Sequence, residues 1–295
     1  MTDTNDYAHP KFLISAEGLA RQLAEDDRCL VFDCTVHLRP DPPRYRVESG
    51  ASTFAEGHIA GAAFLDLTGE LSDPSSGLGF TLPAPAVLQR ALRAAGIDDD
   101  RHVVLYSRGH MMWATRLWWM LHGAGHEHVA VLDGGFRAWQ AMGGAVATGS
   151  VSLTGGGSFT VRHDASRWAD KAEVLAAIGS AAVCTINALS PEVYAGTGAV
   201  NYGRPGHIPS SLNVPYDEIM EQGHFRDGAA LRAAFAGRGA LDGRRIITYC
   251  GGGISATVDA FALRLIGVDG VAVYDGSMSE WAADPTLPLT SGTQP

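Results

Sequence analysis

Apolar residues in this chain fall into short continuous runs, separated by stretches in which they return every three or four positions. Residues 29–33, 103–106, 129–133 and 246–248 are runs of β-branched or large apolar side chains bounded by polar or glycine-containing turns. Such runs predict strands buried on both faces. Residues 85–95 and 113–122 carry helical spacing, as do Ile254, Val258, Phe261 and Leu265. Ser255 stands where a helix N-cap belongs, and Gly267 where a left-handed turn would end that helix. Strands alternating with helices imply βαβ crossovers, hence an α/β fold of parallel sheets with helices on both faces.

The pattern occurs twice. Val103-Val104-Leu105-Tyr106-Ser107 matches Ile246-Ile247-Thr248-Tyr249-Cys250. The run from Val129 to Gly135 matches the run from Val271 to Ser277, and Trp139 then matches Trp281. Upstream, Gly57-His58-Ile59 matches Gly206-His207-Ile208. Three blocks in the same order at nearly one spacing indicate a duplicated domain. The halves are 8–147 and 159–290, joined by 148–158, whose glycines and serines read as a flexible linker.

Composition narrows the partners. With 295 residues, 46% hydrophobic and 18% charged, the chain can bury two ordinary cores. A net charge of −10 without a basic cluster argues against nucleic acid, and no apolar run is long enough to span a bilayer. The polar, acidic residues 1–6 do not resemble a secretory leader, so a cytoplasmic location is expected, where thiols stay reduced. Cys29, Cys34, Cys184 and Cys250 are too few and too scattered for a disulfide framework.

The chemistry concentrates at Cys250. It ends a strand and is followed by Gly251, Gly252, Gly253, Ile254 and Ser255 before the helical pattern begins. Glycines let successive backbone N–H groups turn inward, and a helix start adds further unpaired donors. That combination favours a thiolate nucleophile and would hold negative charge with neither metal nor cofactor. A phosphatase loop needs an arginine at the sixth position after the cysteine, where this chain has Ala256. His58 and His207 recur in both copies, which suggests a structural turn role. Cys29, Cys34 and Cys184 read as packing, the group Trp113, Trp118 and Trp119 as core and interdomain contact, and Asp133 and Asp275 as caps of their own turns.

With these pieces assembled, the chain resembles the two-domain rhodanese-family sulfurtransferases over nearly its whole length. The likeness rests on His58-Ile59-Ala60-Gly61-Ala62, Leu132-Asp133-Gly134-Gly135, Gly206-His207-Ile208-Pro209, the Cys250 loop, and Tyr274-Asp275-Gly276-Ser277 with Glu280-Trp281. The resemblance implies two tandem rhodanese-like domains, the first (8–147) inactive and the second (159–290) catalytic. Ser107 opposite Cys250 agrees with that division. Sulfur would move from a small donor through a Cys250 persulfide to a thiol, cyanide or protein-cysteine acceptor. A protein-to-protein persulfide relay and a non-catalytic binding module are the alternatives. This sequence departs from the family where charge would be expected. Gly251 and Gly252 stand in place of basic or Gly-Ser pairs, Phe80 in place of a histidine, and Leu189 and Val193 in place of two arginines. Arg204 is the nearby candidate to grip an anionic donor.

Overall fold

Each half of the repeat builds one five-stranded, wholly parallel sheet in the computed structural model, which describes residues 6–41, 44–153 and 155–295. The polar stretch 1–5 and Thr154 of the linker lie outside the described residues. In the first sheet the spatial order is Leu13–Ile14, Val129–Leu132, Val103–Tyr106, Leu30–Asp33, Ala63–Phe64. The second repeats it with Trp168–Ala169, Val271–Tyr274, Arg245–Tyr249, Val183–Asn187 and Leu212–Asn213. The central strands are buried along almost their whole length, as continuous apolar runs require. The first domain adds an antiparallel hairpin, Val36–Asp41 with Arg44–Ser49.

Two helices explain how the halves meet. Met112–Gly123 and Ala256–Leu265 each follow a central strand, and each is buried almost all round. A helix apolar on every side must have apolar neighbours on every side. Each therefore packs on its own sheet and on the other helix, so that the largest apolar cluster runs through both domains. Trp118 meets Phe261 edge-on at 4.8 Å, and Thr115 Oγ1 lies 2.8 Å from Thr257 Oγ1. Trp118 and Phe261 occupy matched positions of the repeat, so an approximate two-fold axis passes between the helices.

The segments that precede each sheet cross to the other domain. His9 N–H donates to Leu265 O at 3.1 Å and Tyr7 Oη to Arg226 O at 2.7 Å. Correspondingly, Phe159 N–H donates to Ile97 O, Arg162 N–H to Ala124 O and Asp164 N–H to Gly123 O. The end of the linker is thus fixed and not flexible as its composition suggested. Gly157 is there because a Cβ would lie 2.4 Å from Ile97 O.

One reading of the repeated blocks changes and another is filled in. Asp133 and Asp275 do not cap their own turns; each reaches across the interface. Asp133 accepts from Phe225 N–H at 3.0 Å and pairs with His224 Nδ1 at 3.0 Å. Asp275 accepts from Leu82 N–H at 2.6 Å and from Arg116 at 2.7 Å. The His-Ile pairs are clips: His58 and His207 stack on Phe54 and Tyr194 and hydrogen-bond those residues' carbonyls. The following Ile59 and Ile208 N–H groups donate to Tyr106 and Tyr249 hydroxyls, one residue before each loop.

Candidate active site

Strand Arg245–Tyr249 delivers Cys250 to the carboxyl end of the second sheet, where parallel folds place their ligands. Residues 251–255 then turn into helix Ala256–Leu265. Ser255 already has helical dihedrals and its hydroxyl makes no capping bond, so it is not the N-cap expected from sequence. Gly267 does take the left-handed conformation, with φ +89°.

The loop is fastened from below by Ser277. Its hydroxyl accepts from Cys250 N–H and Gly253 N–H, both at 3.1 Å, and donates to Tyr274 O at 2.7 Å. Ser277 sits at φ +47°, where its counterpart in the first domain is Gly135 at φ +56°. Met278 N–H holds Cys250 O, while Ser279 holds Gly251 O with both its N–H and its hydroxyl. Gly253 is required by its φ of +72° and by Asp275 O, which lies 2.5 Å from where a Cβ would sit. After these bonds, no described residue accepts from the N–H groups of Gly251, Gly252, Ile254, Ser255 or Ala256. Five N–H groups without a described acceptor, all within six residues after one thiol, make a loop suited to negative charge on sulfur.

Above the loop, the two domains enclose a cleft of about 690 Å³. The first domain contributes Tyr45 of the hairpin, His110 and Trp113; the second contributes Leu189, Val193, Tyr202, Tyr216 and Ser255. Cys250 is 2% exposed and lies beneath this surface. Tyr202 covers Gly251 so closely that a Cβ there would come within 2.0 Å of its ring. Gly252, by contrast, has room, its nearest neighbour being Ser279 Oγ at 3.8 Å. Burial pushes the Tyr202 and Tyr216 hydroxyls up, with smaller contributions from neighbours that include Cys250, so both stay protonated at neutral pH. Burial also pushes up the thiols of Cys34 and Cys184, and that of Cys29 to about 11.

Of the residues singled out in the sequence, the structure brings Cys250, Gly251, Gly252, Gly253, Ile254 and Ser255 together. Arg204 does not join them. Its guanidinium donates to the carbonyls of Trp281, Ala282, Asp284 and Leu287 at 2.7–3.2 Å, which leaves it clasping a C-terminal turn and not a donor. Among the described residues the cleft wall carries one guanidinium, Arg39, already paired with Glu48 at 3.1 Å, and two carboxylates, Glu192 and Asp217. Phe80 packs against Trp113 at 5.2 Å.

The rhodanese-like domain family matches residues 15–142 and 172–284, covering both halves of the repeat. The chain belongs to the rhodanese family. It is 37% identical over 97% of its length to SseB of Mycobacterium tuberculosis, provisionally named a thiosulfate sulfurtransferase, and covers 99% of that protein. It is 33% identical to the 3-mercaptopyruvate sulfurtransferase of Escherichia coli, covering 94% of this chain and 97% of that one. The crystal structure of SseA from Escherichia coli superposes with a TM-score of 0.79, at 32% identity, over 90% of this chain and 98% of the other. Sulfur transfer is accordingly the class of chemistry for this rhodanese.

Sequence reasoning missed Ser277 and Arg116. Ser277 was visible as a match to Gly135 and as the end of the Tyr274-Asp275-Gly276-Ser277 motif, with no role attached to it. Arg116 had a plainer signal, being the one arginine in a largely apolar helix, Met-Trp-Ala-Thr-Arg-Leu-Trp-Trp-Met-Leu-His-Gly.

Proposed function

We propose that this rhodanese moves a sulfane sulfur from a small organic donor to a thiophilic acceptor through a persulfide on Cys250. The observation that carries the reading is the loop: one thiol at a strand end, followed by N–H groups without described acceptors and buried beneath an interdomain cleft. The Cys250 thiolate attacks the donor's terminal sulfur and forms an S–S bond, while the donor's bond to that sulfur breaks and its electron pair leaves with the donor. For a mercaptopyruvate-type donor the leaving group is an enolate, which takes up the thiol proton at carbon. An acceptor thiolate or cyanide then attacks the outer sulfur and releases the Cys250 thiolate. The loop N–H groups hold the charge on sulfur in both steps.

The cleft argues for the donor class. Thiosulfate is a compact dianion whose burial calls for cations or many donors. Leu189, Val193, Gly251 and Gly252 supply none through their side chains, and Arg204 is engaged elsewhere. Two missing charged hydrogen bonds, at about 1.5–3 kcal/mol each, correspond to roughly two to four powers of ten in transition-state binding. A monoanionic donor such as 3-mercaptopyruvate, or a persulfide, fits better. The acceptor is a thiol, cyanide or a protein cysteine, in keeping with a cytoplasmic setting. Intact-protein mass after exposure to thiosulfate, 3-mercaptopyruvate and an organic persulfide tests the reading. Gain of one sulfur atom by wild type and not by Cys250→Ser is expected, with kcat/KM lowest for thiosulfate. Uptake by Cys250→Ser refutes the nucleophile, and no uptake from any donor favours a non-catalytic binding module.

A further inference from the structure

We infer that Arg116 of the first domain is a positioning residue that completes the N–H cradle around Cys250. The inference rests on the persulfide reading of Cys250 and adds a role for the domain that carries no nucleophile. Arg116 is fully buried. Its Nη1 donates to Gly253 O at 3.2 Å and to Asp275 Oδ1 at 2.7 Å, and its Nη2 donates to Phe80 O. The guanidinium carbon lies 5.0 Å from the centre of the Trp168 ring. Asp275, itself held by Leu82 N–H at 2.6 Å, fixes the guanidinium so that the same Nη1 also meets the loop at Gly253 O.

The consequence follows from peptide geometry. In a trans peptide the N–H points opposite to the C=O. Arg116 draws Gly253 O toward the first domain, so the N–H of Ile254 in the same peptide unit points the other way, where no described residue accepts it. Gly253, at φ +72° and without a side chain, offers little resistance of its own to a turn of that peptide. Arg116 therefore sets which face of the peptide the sulfur meets. A second observation separates this role from the packing of the fold. The spacing that relates Ser107 to Cys250 relates Arg116 to Asp259, so the matched helix carries a buried carboxyl at the equivalent place. The fold does not by itself call for a guanidinium there.

The test compares Arg116→Met, Arg116→Lys and Asp133→Asn with wild type. Asp133→Asn weakens the interface on the far side of the pseudo-two-fold axis and leaves the Cys250 loop untouched. Iodoacetamide labelling of Cys250, scored by peptide mass against Cys29 in the same sample, reports on the cradle without any sulfur donor. For Arg116→Met, labelling and kcat fall by about tenfold, the equivalent of one charged hydrogen bond lost, while KM stays near wild type. Arg116→Lys restores part of both, and Asp133→Asn changes neither. Wild-type labelling and kcat in Arg116→Met overturn the inference, as does an equal loss in Asp133→Asn, which would indicate interface integrity alone. If Arg116→Met does not fold, Arg116→Lys decides: a folded protein with slowed Cys250 labelling supports the role, and unchanged labelling overturns it. Turnover surviving in Cys250→Ser would refute the persulfide reading separately, because the labelling comparison needs no turnover.

Discussion

Replacing Ser277 with alanine should loosen the reactive loop from beneath, and the structure sets the scale. The hydroxyl is fully buried and accepts from two N–H groups, those of Cys250 and Gly253. Each buried donor left without an acceptor costs about 1–3 kcal/mol, so the pair amounts to about 2–6 kcal/mol, before the lost bond to Tyr274 O is counted. Alanine also keeps the unfavourable φ of +47°. Glycine releases about 1 kcal/mol of that strain and reproduces Gly135 of the first domain. The expected order of heat-unfolding midpoints is therefore wild type, then Ser277→Gly, then Ser277→Ala, with several degrees between first and last. Turnover should fall in both variants, since freed Cys250 and Gly253 N–H groups let the loop reorganise. A calorimetric scan with kcat/KM on the same preparations is sufficient. Ser277→Ala within about 0.5 kcal/mol of wild type, with unchanged turnover, would refute the fastening role.

Adjacent glycines should behave differently. Gly252→Ser is tolerated and Gly252→Lys raises kcat/KM for thiosulfate, whereas Gly251→Arg abolishes turnover because Tyr202 occupies the space, as steady-state assays with each donor would show. Asp259 is fully buried, its carboxylate oxygens have no hydrogen-bond partner among the described residues, and burial holds its carboxyl well above the ordinary range. Its folded state keeps a proton that the unfolded chain releases above about pH 4. Stability from this group is thus present at low pH and lost as pH rises, so the midpoint of Asp259→Asn should gain on wild type between about pH 5 and pH 8. His224 runs in the same direction for another reason. The Asp133 carboxylate raises it, so the advantage of wild type over His224→Gln is full below about pH 6.5 and fades as pH climbs through the folded value.

Much of the fold was legible because it is local and doubled. The run at 103–106 is a strand, the reactive strand extends only one residue beyond its predicted apolar run at each end, and the helices differ by a residue or so at their ends. The loop from Cys250 to Ser255 was legible for the same reason: its parts are contiguous. What the sequence hid is what comes from far along the chain. Arg204 shows its charge in the sequence, but the four carbonyls that absorb it belong to residues 281–287. Asp133 and Asp275 follow strands in a manner that suggests local turns, and only the packing of one half on the other reveals their partners. Arg116 and Ser277 act on the loop from distant positions, through geometry that no spacing rule contains.

The crossing segments give this polypeptide an unusual relation to its own halves. Tyr7 and His9 precede the first sheet yet contact the second domain, and residues 158–164 precede the second sheet yet contact the first domain. A break between residues 148 and 153 would leave both fragments carrying a short extension that belongs on the other. Co-expressed, such fragments are suited to find one another and complement, each lending its partner a missing edge. A break near residue 168 would strip that exchange from one side. Gene duplication here has produced interlocked pieces, so the unit that can be inherited, moved or fused intact is the pair.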